Sequence, residues 1–309
     1  MTRVGATVSD EVVGWLLEGD VAVQYQTRRD LLDDDRPELR ARMATEGYAA
    51  ALLGARSSTT GWGRAYYQPK WTSTHYTLLE LRNLGLAADH PVAREAVVAV
   101  LRNHLRPDGG IDPGGGWTDT CVNGMALGFC TWFGGEPEAL ARMVGWLLGQ
   151  SLPDGGFNCH LHRSGATHSS HHTTVSVLEG LTTYRALGPV RHRAEVDVAV
   201  AGCVGYLLEH RLIRSHRTGE VIHPEFVRLH HPPRWHFDVL RGLDALAAAG
   251  VPQDPRMDDA LEVLRSLRRP DGTWPAGRSW PGETHVPMDR ALRARFLTLV
   301  ALRVLRRYG

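Results

Sequence analysis

No apolar run in the 309 residues approaches the ~18 needed for a membrane-spanning helix, and charges interrupt every candidate. Neither charge is in excess. Lys+Arg is 35 and Asp+Glu is 34, a formal net charge of +1. A chain that grips nucleic acid by its phosphates is usually far more basic, so no nucleic-acid partner is expected. Cysteine is scarce: Cys121, Cys130, Cys159 and Cys203 are too few for a disulfide scaffold of this size. They read as free thiols, with one or two as candidate ligands. The N-terminal stretch MTRVGATVSDEVVGWLLEGD has no apolar signal core and meets Asp10 and Glu11, so a cytoplasmic protein is expected. Strand-like alternation of any length is missing too. Disorder is excluded by 43% hydrophobic residues and near-zero net charge.

What is present is a repeat. Pro107-Asp108-Gly109-Gly110-Ile111 returns as Pro153-Asp154-Gly155-Gly156-Phe157 and as Pro270-Asp271-Gly272-Thr273-Trp274, with weaker echoes at Thr60-Gly61-Trp62 and Thr218-Gly219. A turn signal about every 50 residues marks a repeat architecture. Each turn follows a helical pattern: Ala93–Leu105, Glu138–Leu148, Val196–Leu208 and Met257–Leu267. Proline and glycine stop these helices, since proline cannot continue one and glycine takes positive φ cheaply. A second helix, richer in small residues, follows each turn: Thr72–Leu84, Asp119–Phe133, Ser170–Leu187, Trp235–Ala249 and Met288–Leu305. Val21–Leu32 adds another, with Ser9–Glu18 and Glu38–Leu53 as outer partners. Length alone favours two domains at ~150 residues each. The repeat overrides this and predicts one all-α domain over 1–309, an α/α toroid of about six helical pairs with turns near 61, 109, 155, 219 and 272. An open solenoid is the alternative.

The glutamine, turn and aromatic of Gly149–Phe157 (GQSLPDGGF) resemble the Q…DG…W repeat of the squalene and oxidosqualene cyclases and the protein prenyltransferase β subunits. Arg265–Trp274 is a second copy, with arginine in the glutamine position, and the resemblance covers roughly residues 55–309. It implies the toroid, and leaves the reaction open. The class II cyclases protonate substrate with a D-x-D-D aspartate, which this sequence lacks. Its nearest cluster, Asp33-Asp34-Asp35, reads as a solvated helix end. The prenyltransferases hold zinc with an Asp-x-Cys pair opening one inner helix and a His opening a later one. Asp119-Thr120-Cys121 and His171-His172-Thr173-Thr174 are similar, so the resemblance implies zinc at Asp119, Cys121 and His172. Residues i and i+2 do not share a helix face, so Asp119 reaches such a metal only as a cap with non-helical backbone. Cys159, followed by His160, enters the same end of the ring. As a further ligand it closes the site, or makes a Cys-Cys-His set like that of the lanthionine cyclases.

His75, His236 and Asp238 open other inner helices and are the candidate catalytic groups, expected to converge near the metal. Trp62, Trp117, Trp132, Trp235, Trp274 and Trp280 are candidates for the funnel wall or for packing between repeats. Arg214, His216 and Arg217 are candidates for a diphosphate. The expected function is a zinc-dependent transferase activating a thiol toward an apolar or isoprenoid electrophile. The alternatives are a cyclase-like enzyme without D-x-D-D, or a non-catalytic toroid with structural zinc that binds an apolar ligand or a protein. The prenyltransferase resemblance leaves a partner subunit open.

Overall fold

The computed structural model describes residues 9–58, 61–116, 118–277, 279–289 and 293–309. In chain order its helices are α1 Asp10–Leu17, α2 Val21–Leu31, α3 Pro37–Arg42, α4 Gly47–Gly54, α5 Thr74–Leu84, α6 Pro91–His104, α7 Thr120–Trp132, α8 Pro137–Leu148, α9 Leu161–Ser164, α10 His171–Leu187, α11 Arg193–Glu209, α12 Val239–Ala248, α13 Asp258–Ser266 and α14 Arg295–Tyr308. Among the described residues the only β-pairing is three isolated bridges, Ser58–Gly61, Leu105–Ile111 and Arg214–Val221.

The repeat turn has a physical signature. In three copies the glycine takes positive φ: Gly109 at 98°, Gly155 at 85° and Gly272 at 81°. Each donates its N–H three residues back, to Arg106, Leu152 and Arg269 respectively. The residue after the turn is then tied to the next inner helix. Phe157 N–H donates to Thr174 Oγ1 at 3.1 Å, Trp274 N–H to Thr298 Oγ1 at 3.0 Å, Trp62 N–H to Thr74 Oγ1 at 2.8 Å, and Ile111 N–H to Asn123 Oδ1 at 2.6 Å. A short polar side chain early in α5, α7, α10 and α14 thus satisfies a backbone group that the turn leaves over.

Six inner helices, α2, α5, α7, α10, α12 and α14, pack side by side and close on themselves. Contacts run α5–α7–α10–α12–α14–α2, and Gln26 on α2 donates to the carbonyls of Asn83 and Leu84 at the end of α5, 3.0 Å each. Helices α1, α4, α6, α8, α11 and α13 form the outer layer. The fold is an α/α toroid, closed rather than open. The inner pair α7–α10 is the tightest joint. A Cβ on Gly124 would come within 2.7 Å of Ser176 O, and one on Gly180 within 2.2 Å of Gly124 O, so these backbones meet directly.

Charged side chains tie the inner helices to one another. Arg241 on α12 binds both carboxylate oxygens of Glu179 on α10, at 2.9 and 2.7 Å. Arg303 on α14 reaches Asp244 on α12 and Asp30 on α2, each at 2.7 Å. Arg241, in the first turn of α12, also donates to His236 O at 2.8 Å, so the network reaches the N-terminal end of that helix.

Two boundaries differ from the sequence expectation. Helix α12 begins at Val239 rather than Trp235, because Asp238 caps it by accepting the N–H of Arg241 at 2.9 Å. Helix α14 begins at Arg295 rather than Met288; Asp289 accepts the N–H of Leu297 at 3.1 Å, which ends the preceding segment there. The expected Glu38–Leu53 helix is divided into α3 and α4 at Gly47, whose φ is 70°.

Candidate functional site

Helix α7 opens on Asp119, whose extended backbone (φ −81°, ψ 124°) is that of a cap. Its carboxylate caps nothing, however. Oδ2 accepts from Arg163 Nη2 at 2.5 Å, while Oδ1 is buried without a partner. Burial raises the Asp119 carboxyl above its ordinary value, against the opposing pull of Arg163.

The α7–α10 joint brings two sulfurs together. Cys159 Sγ accepts the N–H of Cys121 at 3.1 Å and the hydroxyl of Thr173 at 3.3 Å. Hydrogen bonding from the Cys121 thiol, joined by these two donors, holds the Cys159 thiol below its ordinary range, against burial. Cys121 is pushed well up by the same thiol contact and by its own burial. The two thiols titrate as a pair, the first proton leaving more easily than the second.

His172, the other expected ligand, opens α10 with its ring turned to α12. Its Nδ1 accepts the N–H of Phe237 at 2.7 Å. Burial, with Arg241 nearby, pushes its pKa down to about 4. Among the described residues no three His, Cys, Asp or Glu side chains are gathered closely enough to hold a metal as they stand. The donor chemistry fits zinc in part. Two sulfurs in contact and a buried, partnerless carboxylate oxygen are a soft-metal donor set, whereas His172, its lone pair already taken, does not fit.

Tyr67, close enough to the sulfurs for its phenol to feel them, belongs to an aromatic wall that sequence reasoning largely missed. Lys70 Nζ lies 5.6 Å from each of the rings of Tyr67, Trp71 and Trp235. Tyr67 OH is 2.7 Å from Tyr76 OH. His236 is sandwiched between Trp235, with centroids 3.7 Å apart, and Trp280, at 3.5 Å, and burial pushes its pKa down to about 3. A cavity of about 480 Å³ opens beside this stack, lined by Trp71, His230, His231, Arg234, Trp280 and Met288. Arg234 is ion-paired with Glu80, and both are buried. Trp71 N–H donates to Glu283 O at 2.8 Å and Trp71 Nε1 to Pro281 O at 2.9 Å, so the first and last repeats meet at this mouth. A larger open groove of about 760 Å³, between the Pro153–Gly155 turn and α11, lies outside the ring and away from the sulfurs.

The structure does not gather all the expected groups. His75 is fully buried among Tyr66, Tyr67, Tyr76 and Phe129, with Nδ1 2.9 Å from Tyr66 OH. Asp238 is spent on capping α12 and on the N–H of His230, at 3.0 Å. Of the three candidate catalytic groups, His236 alone stands in the aromatic wall. Trp62 and Trp274 pack between repeats: each indole donates to the end of an outer helix, at Leu52 O and Leu264 O. Trp132 donates to Leu86 O at the opposite end of α7. Trp235 and Trp280 line the site, and Trp117 lies outside the described residues. Arg214 is held by Asp259 at 2.6 Å and His216 by His210 at 3.0 Å, in an outer turn with Arg217. Asp34 is paired with Arg28 and Arg36, as suits a helix end. The signal for Lys70, Tyr67 and Trp71 was their place just before an inner helix, the same place that marked Asp119.

No family model matches the chain, and no curated protein matches it. Solved structures do. One is a polysaccharide lyase, 14% identical, TM-score 0.51, matched over 96% of each chain. Another is a family 88 glycosyl hydrolase from Bacteroides vulgatus, 13% identical, TM-score 0.54, over 93% of this chain and 90% of that one. The type II terpene cyclase MstE from Scytonema is 17% identical with a TM-score of 0.44, over 99% of this chain and 89% of that one. For the lyase and the hydrolase the likeness is one of fold, the α/α toroid.

Proposed function

We propose that this toroid is a zinc-dependent enzyme whose centre is the Cys121–Cys159 pair and whose substrate is an apolar, isoprenoid-like molecule received by the aromatic wall. The observation that carries this reading is the meeting of two cysteines from different repeats at the N-terminal ends of α7 and α10, beside a buried, partnerless oxygen of Asp119. Cys121, Cys159 and Asp119 would hold the metal. When bound, zinc would keep a substrate thiol deprotonated and hold it against an electrophile. The protein's own groups supply the rest. Trp71 and Trp280 line a cavity of about 480 Å³ together with His230, His231 and Arg234, and Arg163 holds Asp119 in place. Lys70, its ammonium among three rings, places a positive charge near the same carboxylate.

Metal analysis tests this. The purified full chain is expected to carry about one zinc equivalent, lost in Cys121→Ser and Cys159→Ser and bound more weakly in Asp119→Asn. A wild-type chain that stays metal-free after zinc loading and gel filtration sinks the proposal, as does wild-type zinc content in Cys121→Ser. A non-catalytic toroid with structural zinc is separated from this reading by coordination: four protein ligands favour structure, and an exchangeable water favours catalysis.

A further inference from the structure

We infer that His172 is held as an Nε2–H donor, and that it does not ligate the metal. The clause about the metal rests on the proposed zinc site, while the tautomer stands independently of it. The argument begins at Phe237, whose N–H donates to His172 Nδ1 at 2.7 Å. A ring nitrogen that accepts a hydrogen bond carries a lone pair and no proton, so a neutral imidazole in this position is protonated at Nε2. The doubly protonated ring would set Nδ1–H against the N–H of Phe237, two donors face to face. Burial and the nearby Arg241 guanidinium also disfavour that cation.

The donor that imposes this tautomer is itself immobilised. Phe237 is fully buried. It lies between the turn in which His236 N–H donates to Pro233 O, at 3.0 Å, and the Asp238 cap of α12. Its N–H turns away from His172 only if the start of α12 unwinds. Coordination through Nδ1 is blocked by that N–H, and coordination through Nε2 needs the proton moved to the blocked nitrogen. Metal-ligating histidines show the opposite arrangement, with the second nitrogen donating to a carbonyl or carboxylate. His172 Nε2, for its part, has no hydrogen-bond partner among the described residues and is not sealed off from open space. The ring edges around it belong to Phe226, Trp235 and His236, with centroids 5.3 to 6.0 Å away. The Nε2–H thus remains available to an acceptor atom of a bound molecule.

Long-range ¹H–¹⁵N correlation spectra of the histidine rings test the tautomer, with the His172 signals assigned by their loss in His172→Gln. The zinc-loaded full chain is expected to show His172 protonated at Nε2 and unprotonated at Nδ1, unchanged by zinc. Zinc content of His172→Gln is expected to equal wild type, because glutamine can still donate but is a poor zinc ligand. An Nδ1–H tautomer overturns the inference, and so does a tenfold or greater loss of zinc affinity in His172→Gln. If wild type takes up no zinc, the zinc proposal falls, and the spectra still decide the tautomer by the same two outcomes.

Discussion

His75 shows how one side chain changes meaning with its neighbours. Its ring is fully buried against three tyrosines and Phe129, and no acid faces it. Burial therefore pushes its pKa down to about 3, from 6.5. Above pH 6.5 the ring is neutral in both folded and unfolded chains, and its contribution to stability is complete. As pH falls from 6.5 toward 3, the unfolded chain takes up a proton that the folded chain refuses, and stability is lost, on the order of 4 kcal/mol over the full window. His75→Gln keeps an acceptor for Tyr66 OH and does not titrate. Thermal melts at pH 7 and pH 4 are expected to show a smaller acid-induced drop in Tm for His75→Gln than for wild type. Equal drops would overturn the assignment of His75 as a neutral core residue. His236 occupies the equivalent place in its repeat, yet its ring is stacked between two indoles at the site. Two histidines alike in sequence position were given one role by sequence reasoning; His75 lies inside α5, whereas His236 lies in the turn before α12, which begins only at Val239.

At the level of elements, the site depends on how closely α7 and α10 approach. Glycine at 124 and 180 lets the two backbones touch, which sets the N-terminal ends of both helices together and puts Thr173 on Cys159. A methyl at 180 would press on Gly124 O, backbone against which nothing can yield. Gly180→Ala is expected to cost about 1–3 kcal/mol or more through overpacking. It is also expected to part the sulfurs. A trivalent arsenical that bridges two neighbouring thiols should add once to wild type, linking Cys121 and Cys159 in the mass spectrum, and bridge Gly180→Ala poorly. Equal bridging at wild-type stability would mean that the joint does not position the pair. The helices and turns themselves were legible in sequence, because Pro-Asp-Gly and helical spacing act locally. The starts of α12 and α14 were not, because helical spacing shows no boundary until an aspartate takes up first-turn N–H groups, Asp238 as the cap of α12 and Asp289 from outside α14.

For the whole molecule, closure of the ring is an electrostatic matter as well as an apolar one. Arg303 joins α14 to α12 and α2, and its side chain is 27% exposed. Arg303→Met would leave Asp244 unpaired and loosen the seam where the last repeat meets the first. Discounted for that exposure, the expected loss is about 1–3 kcal/mol by urea unfolding. Glu46→Gln, which removes the exposed pair with Arg42, is expected to change stability by less than ~0.5 kcal/mol and serves as the control. A loss for Arg303→Met no larger than the control's would show that the seam is held by apolar packing alone.

The sequence by itself determined the all-helical repeat. Its turn glycines, its outer–inner alternation and the order Asp119, Cys121, Cys159 are properties of short stretches, readable one window at a time. The tertiary structure decided which of those residues meet. Lys70 and Trp235 share an aromatic box across three repeats, and Trp71 finds Glu283 only once the ring has closed. Asp119 is turned to Arg163, and His172 to the backbone of Phe237. A spacing along the chain specifies a helix face only up to the rotation of that helix. That rotation is set by packing against neighbours hundreds of residues away, which no local pattern records.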